Sequence, residues 1–445
     1  MIALFHPRST RPKNRRFPLS ILSLAAMLEG REDYRIVDGN LETDPLVALD
    51  DIMREAPARA LAVSVMPGPQ MVAAVETTQN FRKAYPNVPV IWGGYFPSLF
   101  PETTLNAPYV DFVVRGQGED TFTELLEALD SGPSAWRNIA GLSYRDDFGL
   151  TVSTKDRAIK SPGEFPWMPY HRLPHAQQYP ARTFLGNRTA VHQASFGCPF
   201  RCSFCGVTEL AGGRQKGERP ERTAAILAHL KQEYAVDSIQ FYDNNFFLRE
   251  DDALELAQRI APLGLQWWCE GRIDIVLRYS DATWRALKKS GCRMIFFGAE
   301  SGDDQVLREM NKQLSSEETL ALASRIREFG IVPEFSFVIG NPKDPGRDLA
   351  TNMRFIREVK RRNPDSEIIV QHYTPVPHPD GMYGVEDGAL PFPKSPDEWA
   401  QEEWAKFAER KNPSLPWLPK EVRRKIDAFE LVLACRWPTV QDTKM

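Results

Sequence analysis

Along the first 130 residues, short apolar runs at 2–5, 34–37, 60–63, 89–92 and 111–114 alternate with helical periodicity around 20–29, 45–55, 68–84 and 120–129. Short strands separated by helices predict an α/β domain with a doubly wound, Rossmann-like parallel sheet. From residue 188 the alternation resumes with longer spacing, and 189–195, 238–242, 266–270, 293–298, 334–339 and 367–372 are the strand candidates. Ile226, Leu230 and Tyr234 repeat at i+4 between the first two, as do Leu256 and Ile260 after the second. Six strand–helix units suit a partial (β/α)6 TIM-type barrel better than a closed eight-unit one. Between the two segments, 142–145 and 150–153 flank Asp146-Asp147-Phe148-Gly149 as a hairpin, and prolines at 162, 166, 169, 174 and 180 read as a linker. Past residue 384, Trp399, Trp404, Trp417 and Trp437 accompany a helical repeat of Ile426, Phe429 and Leu433. A helical cap over the barrel is the simple reading, and aromatics lining a large flat substrate the sharper one. The expected division is 1–133, a linker at 134–183, a barrel at 184–380 and a helical tail at 381–445.

Composition narrows the class. The chain has 445 residues, 42% hydrophobic and 26% charged, with a net charge of -4. That is the balance of a soluble globular protein and gives no sign of nucleic-acid binding. No apolar run approaches the roughly 18 residues of a membrane span, and the N-terminus lacks the apolar stretch of a secretory signal, so a cytoplasmic location is expected.

The cysteines are unevenly placed. None occurs before Cys198, and then Cys198, Cys202 and Cys205 follow within one loop marked by Gly197 and Pro199. Three soft thiolates at C-x3-C-x2-C spacing can hold three irons of a 4Fe-4S cluster and leave the fourth open for chemistry. A zinc knuckle on Cys202 and Cys205 would want a second pair, whereas Cys269, Cys292 and Cys435 are scattered.

Ligands of parallel sheets bind beyond the C-terminal strand ends. In the first segment those ends carry Ser64-Val65-Met66-Pro67-Gly68, Gly93-Gly94-Tyr95 and Arg115-Gly116-Gln117-Gly118-Glu119. In the second they carry Tyr242-Asp243-Asn244-Asn245-Phe246, Cys269-Glu270-Gly271-Arg272, Gly298-Ala299-Glu300-Ser301-Gly302, Ile339-Gly340-Asn341 and, after the last, Tyr373, His378 and Asp380.

The cysteine loop, with Phe204 before its third cysteine, resembles that of the radical S-adenosylmethionine (SAM) superfamily. The glycine loops of the first segment resemble the cobalamin-binding domain that precedes the catalytic domain in one large class of that superfamily. The resemblance implies a 4Fe-4S cluster on Cys198, Cys202 and Cys205, with SAM cleaved to a 5′-deoxyadenosyl radical. It implies SAM contacts at Phe204, Asp243, Arg272, Glu300, Ser301 and Ile339, and cobalamin contacts at Ser64, Met66, Gly93, Gly94, Tyr95, Gly116 and Glu119. Two departures stand out. Gln117 replaces a usual glutamate, and the loop that elsewhere supplies histidine to cobalt reads His6-Pro7-Arg8-Ser9-Thr10.

His378, Asp380 and Tyr373 lie where a substrate is expected, and a histidine there can exchange protons near neutral pH. The implied function is cobalamin-dependent methylation of an unactivated carbon on a small molecule, fed by a reductant such as flavodoxin or ferredoxin. A radical oxidoreductase, cyclase or dehydratase is the alternative, and a non-catalytic iron–sulfur or corrinoid binder a third class. A methylthiotransferase is excluded on this reading, because its N-terminal domain carries a cysteine-bound cluster and this one has no cysteine.

Overall fold

Strands β1 (Ile2–His6), β2 (Tyr34–Asp38), β3 (Ala60–Ser64), β4 (Val90–Gly93) and β5 (Phe112–Val114) pair in parallel in the computed structural model, in the order β2-β1-β3-β4-β5. The structure describes residues 1–378, 380–386 and 389–439. Residues of β3 are all buried, as both-face coverage of a central parallel strand requires. Strand order reverses between β1 and β3, so their C-terminal ends form the switch point where such sheets bind ligands. Helices Leu19–Leu28 and Glu119–Ala128 pack on each other, as do Pro45–Glu55 and Pro69–Ala84. The second pair begins on clear start signals: Asp44 accepts from the backbone N–H groups of Leu46 and Val47, and Pro69 follows Gly68.

The hairpin expected in the linker belongs to this sheet. Strands β6 (Leu142–Arg145) and β7 (Thr151–Ser153) add antiparallel to the β5 edge. Leu142, Ser143 and Tyr144 are buried because β5 supplies a partner that local sequence does not name. The unit is completed by Glu209–Gly212 and Pro391–Glu409. Trp399 meets Phe96 and Phe100 with ring centroids 5.2 and 5.1 Å away, and Asp397 accepts from Tyr109 at 2.9 Å and from Gln79. This stretch of the tryptophan-rich tail is therefore part of the first unit, not a barrel cap. Its aromatic spacing shows that it is buried but not on which surface.

The second unit comprises Arg182–Thr208, Gly213–Leu390 and the chain from Arg410. Strands β8 (Thr189–His192), β9 (Ser195–Gly197), β10 (Gln215–Gly217), β11 (Ser238–Phe241), β12 (Gln266–Gly271), β13 (Cys292–Glu300), β14 (Val332–Ile339) and β15 (Glu367–His372) build it. Six of them form one parallel sheet in sequence order, β8-β11-β12-β13-β14-β15. Helices Pro220–Tyr234, Glu250–Ile260, Asp281–Lys289, Ser316–Glu328 and Pro345–Arg362 make the crossovers. Sequential parallel strands with helical returns are the partial barrel expected from the sequence. The β9–β10 ribbon, which flanks the cysteine loop, was not anticipated. Among the described residues no helix is long and apolar enough to cross a membrane.

Candidate functional site

In the first unit, three strand-end turns are hydrogen-bonded to one another. Val65 N–H donates to Gly93 O at 2.8 Å, and Phe96 N–H donates to Val65 O at 3.1 Å. Ser98 Oγ donates to Gly94 O at 2.7 Å and accepts from Gly116 N–H at 2.8 Å. Gly94 has φ 97° and ψ -165°, a region reserved for glycine, and a Cβ there would lie 3.0 Å from both Val65 N and O. Gly94→Ala is expected to cost about 1–3 kcal/mol locally and to weaken corrinoid retention, measured by urea unfolding and by visible absorption after gel filtration.

Ser64 is buried beside this turn, Tyr95 starts the next helix half-buried, and the Met66 side chain is exposed. Glu119 turns towards Ser23, with its carboxyl pushed up by burial. Ser98, the residue that ties the turns together, was passed over in the sequence because its neighbours are the glycines.

The Gln117 departure has a local explanation. Its amide donates to Lys160 O at 3.1 Å and accepts from Lys160 N–H at 2.7 Å, a two-way bond that a carboxylate cannot make. Gln117→Glu is expected to destabilise the unit by about 1–3 kcal/mol, seen as a lower urea midpoint. The His6–Thr10 loop is tied to the turn after β2, since Asn40 Oδ1 accepts from the N–H groups of Ser9 and Thr10 at 2.9 and 3.0 Å.

In the second unit the cysteine loop leaves β9. Cys202 is buried, and Cys198 and Cys205 are half-buried. Burial pushes the Cys198 thiol up and the Cys205 thiol up to about 11, so a metal must displace protons to bind them. Among the described residues no three ligating side chains converge on a single-ion site. In a cubane each thiolate serves a different iron.

The loop is fixed from below by the segment after helix Asp304–Glu309. Ser203 N–H donates to Met310 O at 3.0 Å, and Asn311 Nδ2 donates to Arg201 O at 2.8 Å. Phe204 packs against a cluster of Val306, Met310, Tyr373 and Tyr383.

The acidic and basic residues expected to face SAM are largely engaged with protein. Asp243 Oδ1 accepts from Ser195 Oγ at 2.5 Å and Oδ2 from Ala194 N–H at 3.1 Å, so it pins the start of the strand that enters the cysteine loop. Burial pushes its carboxyl up to about 6. Arg272 donates from Nε to Asp274 at 3.0 Å, from Nη2 to Lys312 O at 2.7 Å and from Nη1 to Cys202 Sγ at 3.7 Å.

Glu300 sits at a register shift between β13 and β14 with φ 58°. Its carboxylate is 2.6 Å from the buried Lys312 ammonium. Burial works against the Lys312 charge, but Glu300 and Cys202 together hold the ammonium above its usual value. Ser301 Oγ accepts from Asp303 N–H at 3.1 Å, and Ile339 O accepts from Tyr373 N–H at 2.9 Å. Asp380 pairs with Arg201 of the cysteine loop at 3.0 Å, and its N–H donates to His378 Nδ1 at 3.1 Å.

Some buried polar groups nearby are not engaged with protein among the described residues. Asn245 is fully buried, and neither atom of its side-chain amide has a partner among the described residues. Gln215 Nε2 donates to Ser195 Oγ at 3.1 Å and to Asn245 O at 2.6 Å, while its Oε1 is also orphaned. Tyr373 Oη is buried and orphaned as well. Orphaned amide donors and acceptors beside the root of the cysteine loop fit a polar ligand such as SAM. Glu270, half-buried on β12, has its carboxyl pushed up to about 7 by burial, with Asp243 and Glu334 adding repulsion. It can hold a proton at neutral pH. Lys312, Asn245 and Gln215 were missed as site residues because their importance comes from neighbours distant in sequence.

The B12 binding domain family matches residues 10–126 and the Radical SAM superfamily residues 193–356. The chain is 28% identical over 345 residues to an uncharacterized methyltransferase of Pyrococcus horikoshii, covering 77% of this chain and 73% of that protein. It is 24% identical to the anaerobic magnesium-protoporphyrin IX monomethyl ester cyclase of Rubrivivax gelatinosus, covering 70% of this chain and 56% of the relative. It is also 24% identical to the cytidylyl-2-hydroxyethylphosphonate methyltransferase of Streptomyces wedmorensis, covering 73% of this chain and 69% of the relative. In fold it is similar to the radical SAM methyltransferase TsrM from Kitasatospora setae, with TM-score 0.70, 16% identity and coverage of 98% and 88%. It is also similar to the cobalamin-dependent radical enzyme OxsB, with TM-score 0.68, 18% identity and coverage of 94% and 57%.

The chain is a radical SAM enzyme that carries a B12 binding domain. Within that class it is methyltransferase-like. The radical SAM domain implies a 4Fe-4S cluster and SAM, and the B12 binding domain implies cobalamin.

Proposed function

We propose that this protein transfers a methyl group from SAM to an unactivated carbon of a small-molecule substrate, using cobalamin and electrons from a flavodoxin- or ferredoxin-like donor. The observation that carries this reading is the presence in one chain of a B12 binding domain and a radical SAM domain. When bound, the cluster supplies the electron that cleaves SAM, and cobalamin carries the methyl group. Cys198, Cys202 and Cys205 hold the irons. Arg272, Lys312 and Asp243 hold the loop and its root strand in place. The Asn245 and Gln215 amides, with Glu300 and Ser301 at the neighbouring strand end, receive SAM. Gly93, held by Val65, and Gly94 and Gly116, joined by Ser98, leave backbone open to a corrinoid, with Ser64, Met66, Tyr95 and Glu119 around them. Tyr373, His378 and Asp380 line the approach of the substrate, and Glu270 is a group that can hold or release a proton at neutral pH.

The test is anaerobic reconstitution with iron, sulfide and hydroxocobalamin, followed by SAM carrying a deuterated methyl group and mass analysis of candidate products. Labelled product supports methyl transfer. Similarity to the cyclase of Rubrivivax gelatinosus supports a second reading, radical cyclisation or oxidation. It predicts 5′-deoxyadenosine with no label in the product.

A further inference from the structure

Among the described residues, Arg272 is the one cation hydrogen-bonded to a cysteine of the loop. It is 6% exposed, and its Nη1 lies 3.7 Å from Cys202 Sγ. Its carbon centre stands 3.6 Å from the centroid of the Phe200 ring, so the guanidinium is stacked on the loop as well as bonded to it. Nη2 is anchored by Lys312 O and Nε by Asp274. The bonds point the group at the thiolate and divide its forked face between a backbone oxygen and a sulfur. A bidentate grip on a SAM carboxylate would require breaking them.

We propose that Arg272 is a positioning residue for the cluster that sets its reduction potential. The inference rests on the assignment of Cys198, Cys202 and Cys205 as iron ligands. One electron from a low-potential donor makes the thiolate-bound centre more negative by one charge, with no proton taken up. A fixed buried cation beside a ligand sulfur favours that more negative state, and hydrogen bonds to sulfur act in the same sense. Asp274 opposes it, because its carboxylate partly cancels the Arg272 charge.

The two residues thus predict shifts of opposite sign. In the full chain reconstituted anaerobically, iron content and an EPR-monitored redox titration are read together. Arg272→Met is expected to keep iron and weaken reduction about tenfold, which for a one-electron couple is a shift of about 59 mV to lower potential. Arg272→Lys, which retains the charge, is expected to recover most of that loss. Asp274→Asn keeps an oxygen acceptor for Nε and is expected to raise the potential.

A purely structural role would change iron content and leave the potential of any assembled cluster alone. Arg272→Met with full iron and the wild-type potential overturns the proposal. Asp274→Asn with an unchanged or lower potential does the same, and it decides the matter if Arg272→Met fails to hold iron. A wild-type chain that takes up no iron overturns the cluster assignment itself.

Discussion

Cys202→Ala is expected to abolish iron binding, from about four irons per chain to background, and with it all formation of 5′-deoxyadenosine from SAM. Cys202 is the most enclosed of the three thiols, and the loop around it is hydrogen-bonded to distant segments. Ser203 is tied to Met310, Arg201 to Asn311, and Arg272 reaches the sulfur directly. No other cysteine can move in as a substitute. Cys269 and Cys292 are fully buried within the barrel strands, and their thiols are pushed well up by burial. Cys435 is exposed on the helix Lys420–Arg436. Cys435→Ser is the matched control and is expected to keep wild-type iron content. Iron quantification and the absorbance of the reconstituted protein give the first result, and chromatography of the SAM cleavage products gives the second. Retention of iron by Cys202→Ala would remove the basis of the functional reading.

Lys312→Met is expected to destabilise the protein by about 3–5 kcal/mol, the usual cost of leaving a buried charge without its partner. The partner is Glu300, itself buried and held at φ 58°. A non-glycine residue in that conformation is strained by about 1–3 kcal/mol and persists only where surrounding contacts hold it. The Lys312 ammonium at 2.6 Å is such a contact. Methionine removes the charge but keeps much of the side-chain volume, so the loss is electrostatic and not a cavity. Adding Glu300→Gln should recover a large part of the cost, because the uncompensated carboxylate is then gone. Urea midpoints of the two single variants and the double variant test this. Strict additivity would show that the pair is not coupled. Iron retention is also expected to fall in Lys312→Met, since the adjoining Asn311 holds the cysteine loop.

Much of the architecture was legible because it repeats over short windows. Apolar runs of four or five residues between helical repeats located β1 to β5, and a longer version of the pattern located the six barrel strands. The three cysteines announced the chemistry because metal ligation imposes a spacing. The departures came where one segment needed a distant partner. Leu142–Arg145 read as part of a linker until β5 appeared beside it, and the stretch around Trp399 read as a barrel cap until Phe96 and Phe100 met it. Asn245 looked like a loop residue, and only its complete burial with no bonding partner marks it as a candidate ligand contact.

The sequence by itself determined the two alternating α/β segments, the thiolate loop and the strand ends that carry polar residues. Each depends on chemistry within a few residues of chain. The tertiary structure alone decided what those residues bond to. Arg272 lies 70 positions from Cys202 and 40 from Lys312, yet it is bonded to both. Asp243 closes on Ser195, and Glu300 on Lys312. A charged side chain removed from water must find a partner, and which partner it finds depends on how the strands and their connecting loops are brought together. That placement gave the cysteine loop its cation and buried the side-chain amide of Asn245 without a partner among the described residues.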